Sequence, residues 1–153
     1  MNINEYLLSL PDDQIELNLS EKNLLELPNL NKFYKLEILY CSDNQLTSLP
    51  KLPITLKLLN CSNNQLTKLQ KLPTKLITLD CSHNQLKNLP KLPKELKNLT
   101  CSHNQLKKIH VLNNKLRFLY CSYNELTILP KLNYRLKFLY CSHNQLKKNT
   151  KTT

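Results

Sequence analysis

The chain has no glycine, no tryptophan and no alanine, and a single methionine in 153 residues. Without glycine, the Gly-dependent phosphate motifs are excluded, the dinucleotide fingerprint and the P-loop alike. Long apolar runs are missing too. No stretch approaches the roughly 18 apolar residues of a membrane span. The N-terminal segment MNINEYLLSL has neither the basic start nor the apolar core of a secretory signal. An intracellular, cytoplasmic location is therefore expected, and the sequons at Asn18, Asn60 and Asn98 are expected to stay unglycosylated. No general acid–base pair and no hydrolase elbow occurs, so no catalytic residue, no cofactor and no enzymatic activity is expected. Acidic residues are scarce: 11 against 22 basic ones, for a net charge of +11.

What is present is leucine, lysine and asparagine in quantity. Hydrophobic residues make up 41% and charged residues 22%, which fits neither a disordered nor a membrane-spanning chain. The length is that of one domain. The bias toward Lys, Asn, Ile, Tyr and Phe matches AT-rich codons, which bears on origin and not on chemistry. A basic balance permits nucleic acid, acidic proteins or anionic membrane surfaces as partners. The lysines scatter over all repeats instead of forming one block, and codon bias alone accounts for them.

The six cysteines, Cys41, Cys61, Cys81, Cys101, Cys121 and Cys141, stand 20 residues apart. A fixed period of this kind marks a repeat architecture. Alignment on cysteine gives LEILYCSDNQLTSLPKLPIT, LKLLNCSNNQLTKLQKLPTK, LITLDCSHNQLKNLPKLPKE, LKNLTCSHNQLKKIHVLNNK and LRFLYCSYNELTILPKLNYR, then a shortened LKFLYCSHNQLKKN. Residues 15–35 form a variant first unit with Leu19 near the cysteine slot. The consensus L-x-x-L-x-C-S-x-N-x-L-x-x-L-P-x-L-P resembles the leucine-rich-repeat signature, with cysteine in the third leucine slot, over residues 15–148. Its L-P-x-L-P tail resembles the short LPX class of secreted bacterial effectors. The C-S-x-N-x-L core is similar to leucine-rich-repeat proteins of large AT-rich DNA viruses. The resemblance implies a protein-interaction module and extends the expected location to the cytoplasm of a host cell. Effector repeats can be joined to a ubiquitin-ligase domain. No residues remain here to build one, so that activity is not carried over.

The spacing predicts a leucine-rich-repeat solenoid with one short parallel strand per repeat on its concave face. Leucines and cysteine point inward, and the positions between them point out. The paired prolines predict an extended, polyproline-like return side with little or no helix. About seven strands at roughly 4.8 Å make a rod about 30 Å long, held by stacking of repeat on repeat. Ile3, Tyr6, Leu7 and Leu10 fall at helical spacing before Pro11, which predicts a short N-terminal capping helix. The expected organisation is a cap over residues 1–14, a repeat domain over 15–148, and a tail over 149–153 with no evident C-terminal cap. The open end would fray, be covered by another chain, or reflect a truncation.

The cysteines replace inward leucines, so they read as buried, reduced core and not as metal ligands or nucleophiles. The column Asn44, Asn64, Asn84, Asn104, Asn124 and Asn144 reads as structural, its amides serving backbone groups at the bend. The serine after each cysteine is expected to bond locally. His83 and His103 hold equivalent positions and should lie about 5 Å apart. No third ligand is predictable, so no metal site is expected. The outward slots differ between repeats. They read Ile38, Leu58, Thr78, Asn98, Phe118, Phe138, then Tyr40, Asn60, Asp80, Thr100, Tyr120, Tyr140, then Asp43, Asn63, His83, His103, Tyr123, His143. The middle is small and polar, and the last two repeats are aromatic. Phe118, Tyr120, Tyr123, Phe138, Tyr140 and His143 are therefore the candidate partner-binding residues, with Arg117, Arg135 and Lys137 as a charged rim. The expected partner is a protein of unknown identity. Self-association through the C-terminal end or the aromatic patch is the first alternative. Binding of nucleic acid or an anionic surface is the second and less favoured one, because Lys51, Lys71, Lys91 and Lys131 occupy return-side slots away from the aromatics.

Overall fold

The computed structural model describes residues 3–147; the expected tail at 149–153 lies outside the described residues. The chain opens with α1 (Ile3–Ser9) and continues through seven three-residue strands. These are β1 (Glu16–Asn18), β2 (Ile38–Tyr40), β3 (Leu58–Asn60), β4 (Thr78–Asp80), β5 (Asn98–Thr100), β6 (Phe118–Tyr120) and β7 (Phe138–Tyr140). They form one parallel sheet in sequence order. From β2 onward each residue pairs with the one 20 positions later, as Leu39 with Leu59 and Leu59 with Leu79. The fold is a solenoid. The return segments carry no helix among the described residues; prolines disfavour one in most of them, and the proline-free return over residues 107–115 follows the same course.

The central residue of each strand from β1 to β6 is buried, and its neighbours face outward. Leucines and the cysteines up to Cys121 make one continuous core. Packing loosens in the last repeat, where Leu136, Leu139 and Cys141 are only partly buried. The parallel ladder runs past each strand into the cysteine: the Cys41, Cys61 and Cys81 amides donate to the Asn60, Asp80 and Thr100 carbonyls at 2.8–2.9 Å. Each of those three thiols leans on the same carbonyl, at 3.4–3.5 Å.

Two residues further on the backbone turns left-handed. Asp43, Asn63, His83, His103, Tyr123 and His143 all have φ between 51° and 56°. Glycine is the usual occupant of that region, and this chain has none. Asp, Asn and His are the next most tolerant side chains, and the column is drawn from them except at Tyr123. Because the turn starts here, the serine before it is not an outward strand position. Ser42, Ser62 and Ser82 are buried. Ser62 and Ser82 donate to the side chains of Asn60 and Asp80, at 2.7 and 2.6 Å.

The asparagine column closes the bend. Asn84 donates to the carbonyls of Cys61, Cys81 and Ser82 at 3.0–3.2 Å, and its side-chain oxygen accepts the Leu66 amide at 2.9 Å. Asn64, Asn104, Asn124 and Asn144 repeat the arrangement. One side chain therefore satisfies polar groups of two successive repeats, which locks their register. On the return side a second asparagine pair does similar work. Asn113 and Asn133 take the slot that Pro73 and Pro93 hold in earlier repeats. Asn113 donates back to Pro93 and Leu96, and Asn133 to Asn113 and Leu116.

At the N-terminus, α1 lays Leu7 on the first repeat. The Lys32 ammonium reaches up from the first return and donates to the carbonyls of Leu7, Leu8 and Leu10 at 3.0–3.4 Å. It also pairs with Asp12 at 3.2 Å. These are carbonyls at a helix C-terminal end, where a cation is the favourable partner.

Candidate functional site

The sheet is paved with small and polar groups in its middle strands: Thr78, Asp80, Asn98 and Thr100. At β6 and β7 the same slots hold Phe118, Tyr120, Phe138 and Tyr140. Phe138 is 48% exposed and Tyr140 is 53% exposed. The parallel register sets like on like. Phe118 stacks on Phe138 at 5.3 Å between ring centroids and Tyr120 on Tyr140 at 4.9 Å, within 8° of parallel. Beside them runs a second ladder in the left-handed column. His83, His103, Tyr123 and His143 stack in turn at 4.1, 4.2 and 4.1 Å. All six candidate aromatic and histidine positions thus lie in adjacent columns at one end of the sheet.

Stacking along the rod decides what these rings offer. Tyr123 has an imidazole on each face, yet it is 46% exposed. Its accessible part is therefore the ring edge and the hydroxyl. Tyr120 and Phe118 likewise give one face to the next repeat. An aromatic edge carries the positive lobe of the ring quadrupole, and a phenol hydroxyl is a donor. Tyr123 therefore presents its edge more than its π faces, while Phe138 and Tyr140 are stacked on one face only among the described residues.

A third column borders the rings. The position before each outward strand slot reads Glu37, Lys57, Ile77, Lys97, Arg117 and Lys137. At its N-terminal end Lys57 is satisfied by Glu37 at 2.6 Å. At its C-terminal end three cations, Lys97, Arg117 and Lys137, follow one another with no carboxylate between them in the column. Arg117, Arg135, Lys137, Tyr134 and Leu136 line a depression of about 290 Å³ there. The Arg135 guanidinium lies over the Tyr134 ring at 5.4 Å, and its Nε donates to that hydroxyl at 3.1 Å. Arg117 and Lys137 directly precede Phe118 and Phe138 in the chain, so the cationic column adjoins the aromatic strands, unlike Lys51, Lys71, Lys91 and Lys131 in their return-side slots.

The charge of the whole rod follows the same gradient. Residues 1–43 hold eight acidic and three basic side chains, a net −5. Residues 44–153 hold three acidic and nineteen basic ones, a net +16. Between 96 and 147 the single acid is Glu125. Both signs contribute: eight of the eleven acids lie in residues 1–43, and nineteen of the twenty-two basic residues lie beyond them.

The cysteine column offers no activated thiol among its buried members. Burial pushes Cys41 and Cys121 up to about 12, and it drives Cys61, Cys81 and Cys101 well above the usual thiol range. All six are free, and Cys141 is half-buried. His103 is held below the ordinary histidine value, first by loss of water within the stack and then by its neighbours His83 and His143. Among the described residues, no group of three or more His, Cys, Asp or Glu side chains is placed to share a metal ion. No helix among them is long and apolar enough to cross a membrane.

The Leucine Rich Repeat family profile matches residues 75–99, which span β4, the following return and the start of β5. No curated protein sequence matches the chain. Solved structures do. The chain superposes on the leucine-rich-repeat domain of a Shigella effector with a TM-score of 0.85 and 37% identity, over 95% of this chain and 64% of that one. It is similar to YopM of Yersinia enterocolitica, with a TM-score of 0.78 and 34% identity over 90% of this chain and 35% of that one. It is also similar to the leucine-rich effector YopM of Yersinia pestis, with a TM-score of 0.70 and 32% identity over 85% and 43%. The chain thus spans between about one third and just under two thirds of the structures it matches.

Proposed function

We propose that the chain, whose leucine-rich-repeat fold is shared by bacterial effectors, is a non-enzymatic protein-interaction module. Its concave sheet face would hold a polypeptide partner at the C-terminal end, through Phe118, Tyr120, Tyr123, Phe138, Tyr140 and His143. The observation that carries this is the column of stacked aromatics, half-buried on β6 and exposed on β7, beside strands β4 and β5 whose equivalent slots are small and polar. Strand propensity accounts for Phe and Tyr in a sheet, but it acts equally on every strand and leaves their concentration on two of seven unexplained. Aromatic anchors in a local patch are what protein interfaces use. The free, buried cysteines support a reducing compartment, and the likeness to effectors supports the cytoplasm of a host cell as the place of action.

The test is capture from cytoplasmic extract, comparing the wild-type chain with Tyr120→Ala/Phe138→Ala/Tyr140→Ala. All three side chains are outward, so the variant keeps its core. The expected result is one or more proteins retained by the wild type and lost with the triple variant. Identical captures by both would remove the aromatic patch as the site.

A further inference from the structure

We infer that the occupant of the C-terminal patch is an extended, acidic segment of polypeptide. Its carboxylates would sit against Arg117, Arg135 and Lys137, with the chain crossing the ring edges and hydroxyls of Tyr120 and Tyr140. This rests on the sheet face being a protein-binding surface and adds the chemistry of the partner.

Three observations converge. First, Arg117 stands between Lys97 and Lys137 in parallel register, and like charges on neighbouring strands repel. Where the chain supplies a carboxylate one repeat away, the cation takes it: Lys57 pairs with Glu37 and Lys115 with Glu95, both at 2.6 Å. Among the described residues Arg117, Arg135 and Lys137 have no such partner, and they surround a depression of about 290 Å³. Second, the rings on the neighbouring strand slots are stacked along the rod, Phe118 on Phe138 and Tyr120 on Tyr140, and a stacked ring offers its positive edge and, in tyrosine, a donor hydroxyl. Cationic groups, ring edges and phenol donors all favour an anion. Third, the single acid between residues 96 and 147 is Glu125, so the surrounding field is positive and steers acidic segments to this end. The ring geometry selects among anionic partners. Single-stranded nucleic acid gains most of its affinity by laying bases on open aromatic faces, and here one face of Phe118 and of Tyr120 and both faces of Tyr123 are covered by neighbouring rings.

The experiment is fluorescence anisotropy with the full chain and three labelled probes. These are a short peptide alternating glutamate and leucine, the same peptide with glutamine for glutamate, and an oligouridylate of matched charge. The expected result is that the glutamate peptide binds, weakens as salt is raised, and exceeds the glutamine peptide by about tenfold or more. Arg117→Gln/Arg135→Gln/Lys137→Gln loses about tenfold. Lys51→Gln/Lys71→Gln/Lys91→Gln, which removes the same charge from the return side, keeps the affinity. Unchanged melting temperatures establish that both variants are folded. Three results would overturn the acidic-peptide assignment: no binding of the glutamate peptide, equal binding of both peptides, or undiminished affinity in the Arg117/Arg135/Lys137 variant. Tighter binding of the oligouridylate would overturn it in favour of nucleic acid. If both peptides bind equally and the aromatic triple variant loses both, the protein-binding face stands and only the charge assignment falls.

Discussion

Asn84 holds four polar groups of two neighbouring repeats with one side chain. Replacing it with alanine strands one amide and up to three carbonyls near the core, at roughly 1–3 kcal/mol for each group left unsatisfied. Some are rescued by water, so Asn84→Ala is expected to cost roughly 2–4 kcal/mol, read as a fall in urea midpoint with unchanged slope. A loss under about 0.5 kcal/mol, as for an ordinary surface site, would show that the column is decorative. His103 makes the complementary case of a residue whose chemistry is exposed. Its folded value lies below the 6.5 of a free histidine, so the unfolded chain binds its proton more readily. Stability from the stack is therefore complete above about pH 6.5 and is lost as pH falls through the lower folded value. Imidazole NMR should find His103 titrating below 6.5, and His103→Gln should flatten the stability slope just below that pH; a His103 titration at or above 6.5 contradicts the stack. The asparagine and cysteine roles were legible in the sequence because their period makes each residue's surroundings the same. The left-handed turn was not. Only the run of Asp, Asn and His in a glycine-free chain hints at it, and Tyr123 breaks the hint.

At the scale of elements, a three-residue strand has little intrinsic stability and a seven-residue helix has less. Both persist through their neighbours. The strands are tied by the 20-residue register, which the cysteine spacing displays openly. The capping helix rests on the core through Leu7 and gains one remote polar contact: Lys32 on the carbonyls of Leu7, Leu8 and Leu10. Nothing in residue spacing announces that contact, because Lys32 stands in a return segment more than twenty residues away. Lys32→Met keeps most of the stem's packing and removes the charge. It is expected to cost about 1 kcal/mol, concentrated in α1. Hydrogen exchange is the discriminating readout: amides of the cap should exchange faster while those of β3 to β5 keep their protection. Equal acceleration throughout the sheet would mean that the cap and the solenoid unfold as one unit. The return-side pair Asn113 and Asn133 was hidden for a related reason. Their slots look like failed prolines until the carbonyls of the preceding repeat are seen within 2.8–3.2 Å.

Across the whole molecule, identical repeats would make a rod with no preferred site. This rod has polarity of two kinds. Charge runs from net −5 in residues 1–43 to net +16 in the remainder, and outward aromatics gather on the last two strands. The solenoid itself is legible from period alone, since every repeat votes for the same fold. The proposed site rests only on positions where repeats disagree, so its residues are few and their chemistry has to be read from neighbours in register. The edge-on presentation of the rings and the cationic column beside them are properties of that register, invisible along a single repeat. The most direct measurement is fluorine NMR on the chain labelled with fluorotyrosine, titrated with a captured partner. The seven tyrosines sample both ends and both faces. The signals of Tyr120, Tyr123 and Tyr140 are expected to shift or broaden together, while Tyr6 and Tyr34 stay in place. Perturbation confined to Tyr6 and Tyr34, with the C-terminal three unmoved, would contradict a binding site on the last two strands.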